Sequence, residues 1–420
     1  MKKILIFVFF LLPAFEHSGF AQGEILARGR VVNFEDVLDQ ALKTDSGVLR
    51  AKARIEKEEA LRKSVFRGFL PKLRTEAYGA LTSESRNQGI LYWTTELRLP
   101  LFEGGRRMHE LRKGNLRIEE EKLLLREIKE NLRQEIKFIY LAVLKEKELL
   151  ELSGHWLKET GAYLAISKKL MTSGLLTEEE LLKAQSLFQT ARLEHVKHKE
   201  ALDYGEELLR DILELKEYEK FTFDFLDQTA PFTDIQFMDE MKKKSGLYEI
   251  WSLKLKEKKE ERGILASERF PTLSLTGRFN VTGDEGFRHN RLEAGILGSW
   301  NIWDFGVLGS QIKAKEAEIK ETEALGKEKL RKLESKARKF FHELKVAREK
   351  IKLSKRLLKE KKKRHQNEKM RLIVEDKGKF EILDSFIDLT RAQMALLESQ
   401  SEYEVLQVSL ERMRGGNILS

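Results

Sequence analysis

The sequence contains no cysteine and only 5 prolines among its 420 residues. The missing cysteines exclude disulfide bonds and a lipid anchor on an N-terminal cysteine. Few prolines, together with 35% charged residues rich in Lys and Glu, favour long helices with coiled-coil packing. No run of about 18 apolar residues follows the N-terminus, which argues against a membrane-spanning helix. Membrane-spanning β-strands are not excluded, because each needs only about 9 to 11 residues of alternating polarity.

Residues 1–21 have the pattern of a secretory signal peptide. Lys2 and Lys3 form a charged start, residues 4–15 form an apolar core, and Gly19-Phe20-Ala21 has the small residues of a signal-peptide cleavage site. The alternative is a buried N-terminal helix. The signal interpretation predicts that the chain is exported.

The chain has a formal net charge of +9, which raises the question of nucleic-acid binding. However, 78 basic residues are interspersed with 69 acidic residues along every predicted helix. Such mixing is typical of solvated helix surfaces. We therefore expect no nucleic-acid partner.

Three separated segments recur about 200 residues later, which indicates a tandem duplication. The pairs are Phe69-Leu-Pro-Lys-Leu73 with Arg269-Phe-Pro-Thr-Leu273, Leu101-Phe-Glu103 plus Gly105 with Ile302-Trp-Asp304 plus Gly306, and Glu180-Leu-Leu182 with Glu381-Ile-Leu383. The predicted domains are the signal peptide, a first repeat over 22–232, a second repeat over 233–415 and a short tail over 416–420.

Each repeat is predicted to contain a helix, two strands and a long helical hairpin. The first helix would begin after Asn33, whose side chain can cap it, and end near Phe69 before Pro71. Alternating apolar residues predict the strands, and heptad-like apolar spacing predicts the hairpins. The predicted strands cover 73–81, 91–101, 273–283 and 292–302, and the predicted hairpins cover 106–216 and 307–414.

Four strands are too few to close a barrel around a pore, and an open edge in lipid leaves backbone amides unpaired. Oligomerisation, with each chain lending four strands, would solve both problems. The alternative is a soluble four-stranded sheet packed on helices. Trp93, Trp300 and Trp303 near the strand ends suit an interfacial aromatic girdle, but they would equally suit a core.

These features resemble the outer-membrane efflux proteins, the TolC-like channel-tunnels. The resemblance rests on Val31 to Leu42, the Leu-Pro before the first strand, Leu101 to Gly105, Trp303 to Gly306 and Asp384 to Leu397. It implies a homotrimer in the outer membrane that extends into the periplasm. Twelve strands would form the barrel and twelve helices the tunnel. It also implies a periplasmic adaptor and an inner-membrane transporter as partners, with outer-membrane lipid around the barrel.

The resemblance also suggests roles for particular residues. Glu381 and Asp384, with Glu180 of the first hairpin, would form acidic rings at the periplasmic aperture; the alternative is solvated helix starts, where acids are favoured by the helix dipole. Ser173, Gly174, Leu175 and Thr177 would contact the adaptor, or would simply form an interhelical turn. Gly104, Gly105 and Gly306 would allow the strand-to-helix bends.

No catalytic constellation or phosphate-binding loop is recognisable, so we expect neither an enzyme nor a cofactor. His195 and His198 have a helical spacing that can share a metal, but no acidic residue completes a convincing site. The predicted function is a passive exit duct of an efflux pump or a type I secretion system. A periplasmic adaptor and a structural coiled-coil protein without a pore are the alternatives.

Overall fold

A computed structural model describes residues 34–81, 89–213, 237–241, 245–283, 289–375 and 379–414. The predicted signal peptide, the tail over 416–420 and residues 214–216 of the first hairpin lie outside these ranges. The helices are α1 (Phe34–Thr44), α2 (Ser46–Arg67), α3 (Arg106–Thr172), α4 (Glu178–Leu213), α5 (Gly246–Ser267), α6 (Val307–Glu375) and α7 (Lys379–Arg414). The strands are β1 (Lys72–Leu81), β2 (Gly89–Glu103), β3 (Thr272–Gly283) and β4 (His289–Ser299).

The segment before the first strand forms two helices rather than the predicted single one. The break falls at Asp45, whose carboxylate accepts a 2.7 Å hydrogen bond from the backbone N–H of Val48. An acid at this position satisfies an amide of the following helix, which favours a new start over continuation. Asn33, the predicted cap, lies outside the described residues.

The four strands form one antiparallel sheet in the order β1-β2-β3-β4. Each repeat supplies one hairpin, and β2 joins β3 across the duplication. A register shift between Pro100 and Phe102 accommodates a proline that cannot donate to the ladder. The outer edges of β1 and β4 have no neighbour within the described chain.

The fourth strand ends at Ser299, three residues before the predicted end at Ile302. Ser299 pairs with Thr272, the first residue of β3, and Pro271 before it has no N–H to extend the ladder. Residues 300–302 therefore have no partner strand among the residues that the structure describes. The Trp300 indole N–H instead donates to the Arg269 carbonyl at 3.1 Å.

The helices form a layer that is four helices wide over its whole length. Next to the sheet the order is α2-α3-α5-α6, and towards the far end it is α4-α3-α7-α6. Separate small cores hold the layer together. One surrounds Ile136 and Tyr140 of α3, another surrounds Phe237 and Phe341, and a third joins Trp156 of α3 to Ile387 of α7. No helix in the described ranges is both long and apolar enough to span a membrane.

Ion pairs fix α5 between its two long neighbours. The Glu261 carboxylate accepts hydrogen bonds from Lys113 of α3 at 2.7 Å and from Lys315 of α6 at 3.1 Å, and it also pairs with Lys258 at 3.2 Å. Partial burial alone would raise the pKa of Glu261, but these three cations outweigh it and lower the pKa to about 2. One carboxylate thus connects three helices.

Candidate functional site at the hairpin ends

The first hairpin turns through a left-handed glycine. Gly174 has φ +71°, and its N–H donates to the Met171 carbonyl at 3.0 Å. The Leu175 N–H donates to the Leu170 carbonyl at 2.9 Å, which completes a Schellman arrangement and satisfies carbonyls at the end of α3. The Leu175 side chain is 74% exposed. The turn therefore presents an apolar side chain at the end of the molecule.

Glu180 has a local role that the sequence prediction did not assign to it. Its carboxylate accepts hydrogen bonds from the Thr177 N–H at 2.9 Å and from the Thr177 hydroxyl at 2.8 Å, and the Glu180 N–H donates back to that hydroxyl at 3.3 Å. This is a capping box at the start of α4. The hydrogen bonds from Thr177 lower the pKa of Glu180.

In the second hairpin, Glu381 lies in the first turn of α7 and Asp384 one turn later, and both are exposed. The Asp384 carboxylate lies 3.6 Å from an Arg364 nitrogen of α6. Arg364 also contacts Asp388 at 3.0 Å, and Lys361 donates to Asp388 at 2.5 Å. Two bases of α6 thus face two acids of α7.

Tyr163 of α3 lies near two of the three predicted acids, Glu180 and Glu381. Burial raises the pKa of its hydroxyl, and the charges of Glu180 and Glu381 raise it further. The structure therefore brings one acid from each hairpin to the same neighbourhood. Tyr163 also lines a groove of about 690 Å³ between α3 and α7, together with His365 and Phe386.

His365 fixes α6 to α7 beside these acids. Its Nδ1 lies 2.9 Å from the Ser385 hydroxyl, and that hydroxyl donates its own proton to the Ile382 carbonyl at 2.8 Å. The imidazole N–H is therefore the donor to Ser385. Burial and the nearby charge of Lys369 lower the pKa of His365, which favours the neutral ring.

The strand-to-helix junctions have left-handed backbone conformations. Gly104 and Gly105 have φ +60° and +85°, and Gly306 has φ +85°. Phe305 has φ +55° at the position that corresponds to Gly104 in the first repeat. Asp304 stabilises the second junction by accepting hydrogen bonds from the backbone N–H groups of Gly306 at 2.9 Å and Leu308 at 2.7 Å.

The two histidines considered for metal binding have different partners on α3. His198 is buried and contacts Glu146 at 2.7 Å, while His195 contacts Ser153 at 3.3 Å. Among the described residues, no group of three His, Asp or Glu side chains is arranged to hold a metal ion.

Sequence reasoning missed the contacts of Arg364, Lys361 and Tyr163 at the hairpin ends. A usable signal existed, because Asp384 and Asp388 are four residues apart and so share one face of a helix. This spacing predicts that both acids can face the preceding helix, but it does not tell which of the many bases of α6 they contact.

Comparisons with known proteins agree with this architecture. Residues 37–213 match the model of the family described as outer membrane efflux protein. Among solved structures, CusC has a TM-score of 0.79 and 14% identity, covering 94% of this chain and 96% of that one. VceC of Vibrio cholerae has a TM-score of 0.77 and 13% identity, and the match covers 91% of this chain and 96% of that one. The CmeC outer membrane channel of Campylobacter jejuni has a TM-score of 0.78 and 15% identity, and the match covers 91% of this chain and 85% of that one. A comparison with curated protein sequences finds no match.

The structural likeness covers more than nine-tenths of the chain and confirms the predicted fold class, a mainly helical chain with four strands that has the fold of the channel-tunnel proteins. The family match covers most of the first repeat. Together they confirm that this chain resembles the TolC-like outer membrane efflux proteins, which are proteins of the outer membrane that extend into the periplasm.

Proposed function

We propose that three copies of the chain close into one ring and act as a passive exit duct across the periplasm and the outer membrane. The observation that carries this proposal is the shape of the layer. Both its strands and its helices are four elements wide, and both end in edges that have no neighbour within the described chain.

The edge strands give the physical reason. An unpaired backbone amide in lipid costs several kcal/mol, so β1 and β4 need partners if the sheet lies in a membrane. Pairing β4 of one copy with β1 of the next supplies them. Three copies then give twelve strands around a lumen and twelve helices around the tunnel.

The hairpin ends would form the periplasmic aperture of this duct. Under threefold symmetry Glu381 and Asp384 each become a ring of three carboxylates, which attract cations. In each copy Arg364 lies between Asp384 and Asp388, so it limits how far α7 can move from α6. Glu180 would add a third acidic ring while it also caps α4.

The exposed turn of the first hairpin is the proposed contact with a periplasmic adaptor. Ser173, Gly174 and Thr177 form the turn, and Leu175 extends from it as an apolar knob. Through that adaptor the duct would receive cargo from an inner-membrane transporter, in an efflux pump or a type I secretion system. The duct itself holds no energy source in this scheme.

Single-channel recording in planar bilayers tests the aperture. The variant with Glu381→Ala and Asp384→Ala should conduct more and prefer cations less, because two acidic rings and one contact to Arg364 are lost. Glu323→Gln, at an exposed pair with Lys327 on α6, is the matched control and should leave conductance unchanged. A folded ring without a pore would favour a structural role, and recovery with the inner membrane would favour an adaptor.

A further inference from the structure

The groove between α3 and α7 has a long and mainly apolar floor. Ile382, Phe386, Leu389 and Gln393 of α7 follow one another at three or four residues and line its length. At 1.5 Å per residue, this length is about 16 Å. The groove volume of about 690 Å³ is within the range of about 300–1,000 Å³ that is typical of small-molecule sites. The floor therefore suits an elongated apolar ligand.

The wall on the α3 side combines apolar residues with one acid. Leu152, Ala162 and Ile166 line this wall, and Ile166 is 46% exposed. Tyr163 adds an aromatic ring that is half-buried. Glu159 is the single acidic side chain among the described residues that line the groove.

The wall on the α6 side is basic. Lys369 lines the groove beside His365. Lys362 and Lys355 precede Lys369 by seven and fourteen residues, so they follow the same side of α6, and all three lysines are exposed. Within the described part of the chain, none of the three forms an ion pair. Three unpaired ammonium groups against the one carboxylate of Glu159 make the surroundings of the floor attractive to an anion.

The groove opens on the side of the layer opposite to the aperture acids. Phe386 follows Asp384 by two residues, which places the two side chains about 200° apart around α7. With the acids towards the lumen, as in the proposed duct, the groove lies on the outer wall of the tunnel. Helices α3, α6 and α7 of a single chain form it, so no second copy is needed to complete it.

We propose that this groove binds a fatty acid from the periplasm. The alkyl chain lies along the floor, and the carboxylate pairs with Lys369, while Lys362 and Lys355 add positive charge along the same wall. The site itself belongs to one chain, and only its position outside the lumen rests on the proposed duct.

The groove volume favours a single alkyl chain over a helix of a partner protein. A helix about 10 Å wide and about 16 Å long occupies roughly 1,300 Å³, nearly twice the volume of the groove. Such a helix would leave about half of its surface uncovered. A single alkyl chain is narrow enough to lie between the two walls.

Two photoreactive probes test the proposal. Both have the same dodecyl chain with a diazirine near its end, and they differ in the head group, which is a carboxylate in one and a trimethylammonium in the other. Each probe is added to the mature chain in lipid nanodiscs and irradiated, and mass spectrometry locates the labelled residues. The carboxylate probe should label Tyr163, Phe386 or Leu389, and excess laurate should remove this label. The trimethylammonium probe should label these residues several-fold less.

Substitutions of the charged walls test the role of the head group. Lys369→Gln should reduce labelling of the groove by the carboxylate probe roughly two- to fivefold, the effect of losing one exposed ion pair. Glu159→Gln should increase it, because the substitution removes the acid that repels the carboxylate. Lys168→Gln is the matched control and should change nothing. Lys168 is exposed but follows Ile166 by two residues, so it lies on the opposite side of α3.

The outcomes separate this inference from the exit duct. Equal labelling by the two probes, or an equal effect of Lys369→Gln and Lys168→Gln, overturns the inference. A groove that neither probe labels, while the strands acquire label from the lipid, also overturns it and favours a protein partner. Light scattering gives the native mass of each sample. Labelling of the groove in a monomer supports the inference and overturns the duct, whereas a conducting trimer with an unlabelled groove does the reverse.

Discussion

Replacing Glu261 by Gln should loosen α5 from the helical layer. The substitution keeps the size of the side chain and removes the charge that Lys113, Lys258 and Lys315 share. Glu318 would then be the remaining acid beside Lys258 and Lys315, and Lys113 would lose its ion pair. Because these lysines come from α3, α5 and α6, the loss should affect the packing of all three helices next to the sheet.

The pKa of Glu261 sets the size of the effect. A pKa of about 2 instead of the ordinary 4.5 corresponds to roughly 3 kcal/mol at about 1.4 kcal/mol per pH unit. The Glu261 side chain is 15% exposed and its lysines are more exposed, so solvent screens part of this interaction. We expect a net loss of about 1–2 kcal/mol at neutral pH.

The direction of the pKa shift determines how the contribution of Glu261 to stability changes with pH. Since folding lowers the pKa, the carboxylate stabilises the fold fully above 4.5 and loses that contribution as the pH falls towards about 2. Thermal loss of helical circular dichroism should separate the variant from the natural chain at neutral pH, and the difference should disappear near the lower limit. Glu323→Gln, at an exposed pair with Lys327, is the control and should unfold like the natural chain. A difference that persists unchanged at low pH would refute the reasoning.

Two further substitutions test local features. Gly105→Ala should lower the free energy of unfolding by about 1 kcal/mol, because Gly105 has φ +85°, although an added Cβ would meet no atom within 4 Å. The control is Gly309→Ala, where an added Cβ is equally free of contacts but the residue lies inside α6, so the substitution should be neutral or slightly stabilising. Thermal unfolding of both variants checks this, and equal behaviour would argue against backbone strain at the bend. Glu180→Ala should open the capping box, so the amides of Thr177 and residue 180 should exchange faster with deuterium. Unchanged exchange there would mean that the carboxylate does not hold the start of α4.

The strands were predictable because apolar and polar residues alternate along them, and because the same alternation occurs at corresponding positions in both repeats. Leu275 and Phe279 alternate with polar residues, and the same order appears in the first repeat. The end of β4 was not predictable in this way. Its last paired residue depends on where β3 begins, which is a property of the neighbouring strand rather than of Trp300 or Ile302.

The site was readable only in part. Thr177 and Glu180 have the spacing of a capping box, so the local role of Glu180 could have been found from the sequence. The partner of Asp384 could not have been identified from the sequence, because the end of α6 offers many basic side chains. Which of them meets Asp384 depends on the register between α6 and α7, and that register is set by packing around His365 and Ser385.

Electron cryomicroscopy of the purified chain in lipid nanodiscs tests the central claim most directly. The account predicts a threefold ring with a continuous lumen, in which β4 of each copy pairs with β1 of the next. Single copies in the lipid, or a ring whose strands leave no central opening, would contradict it.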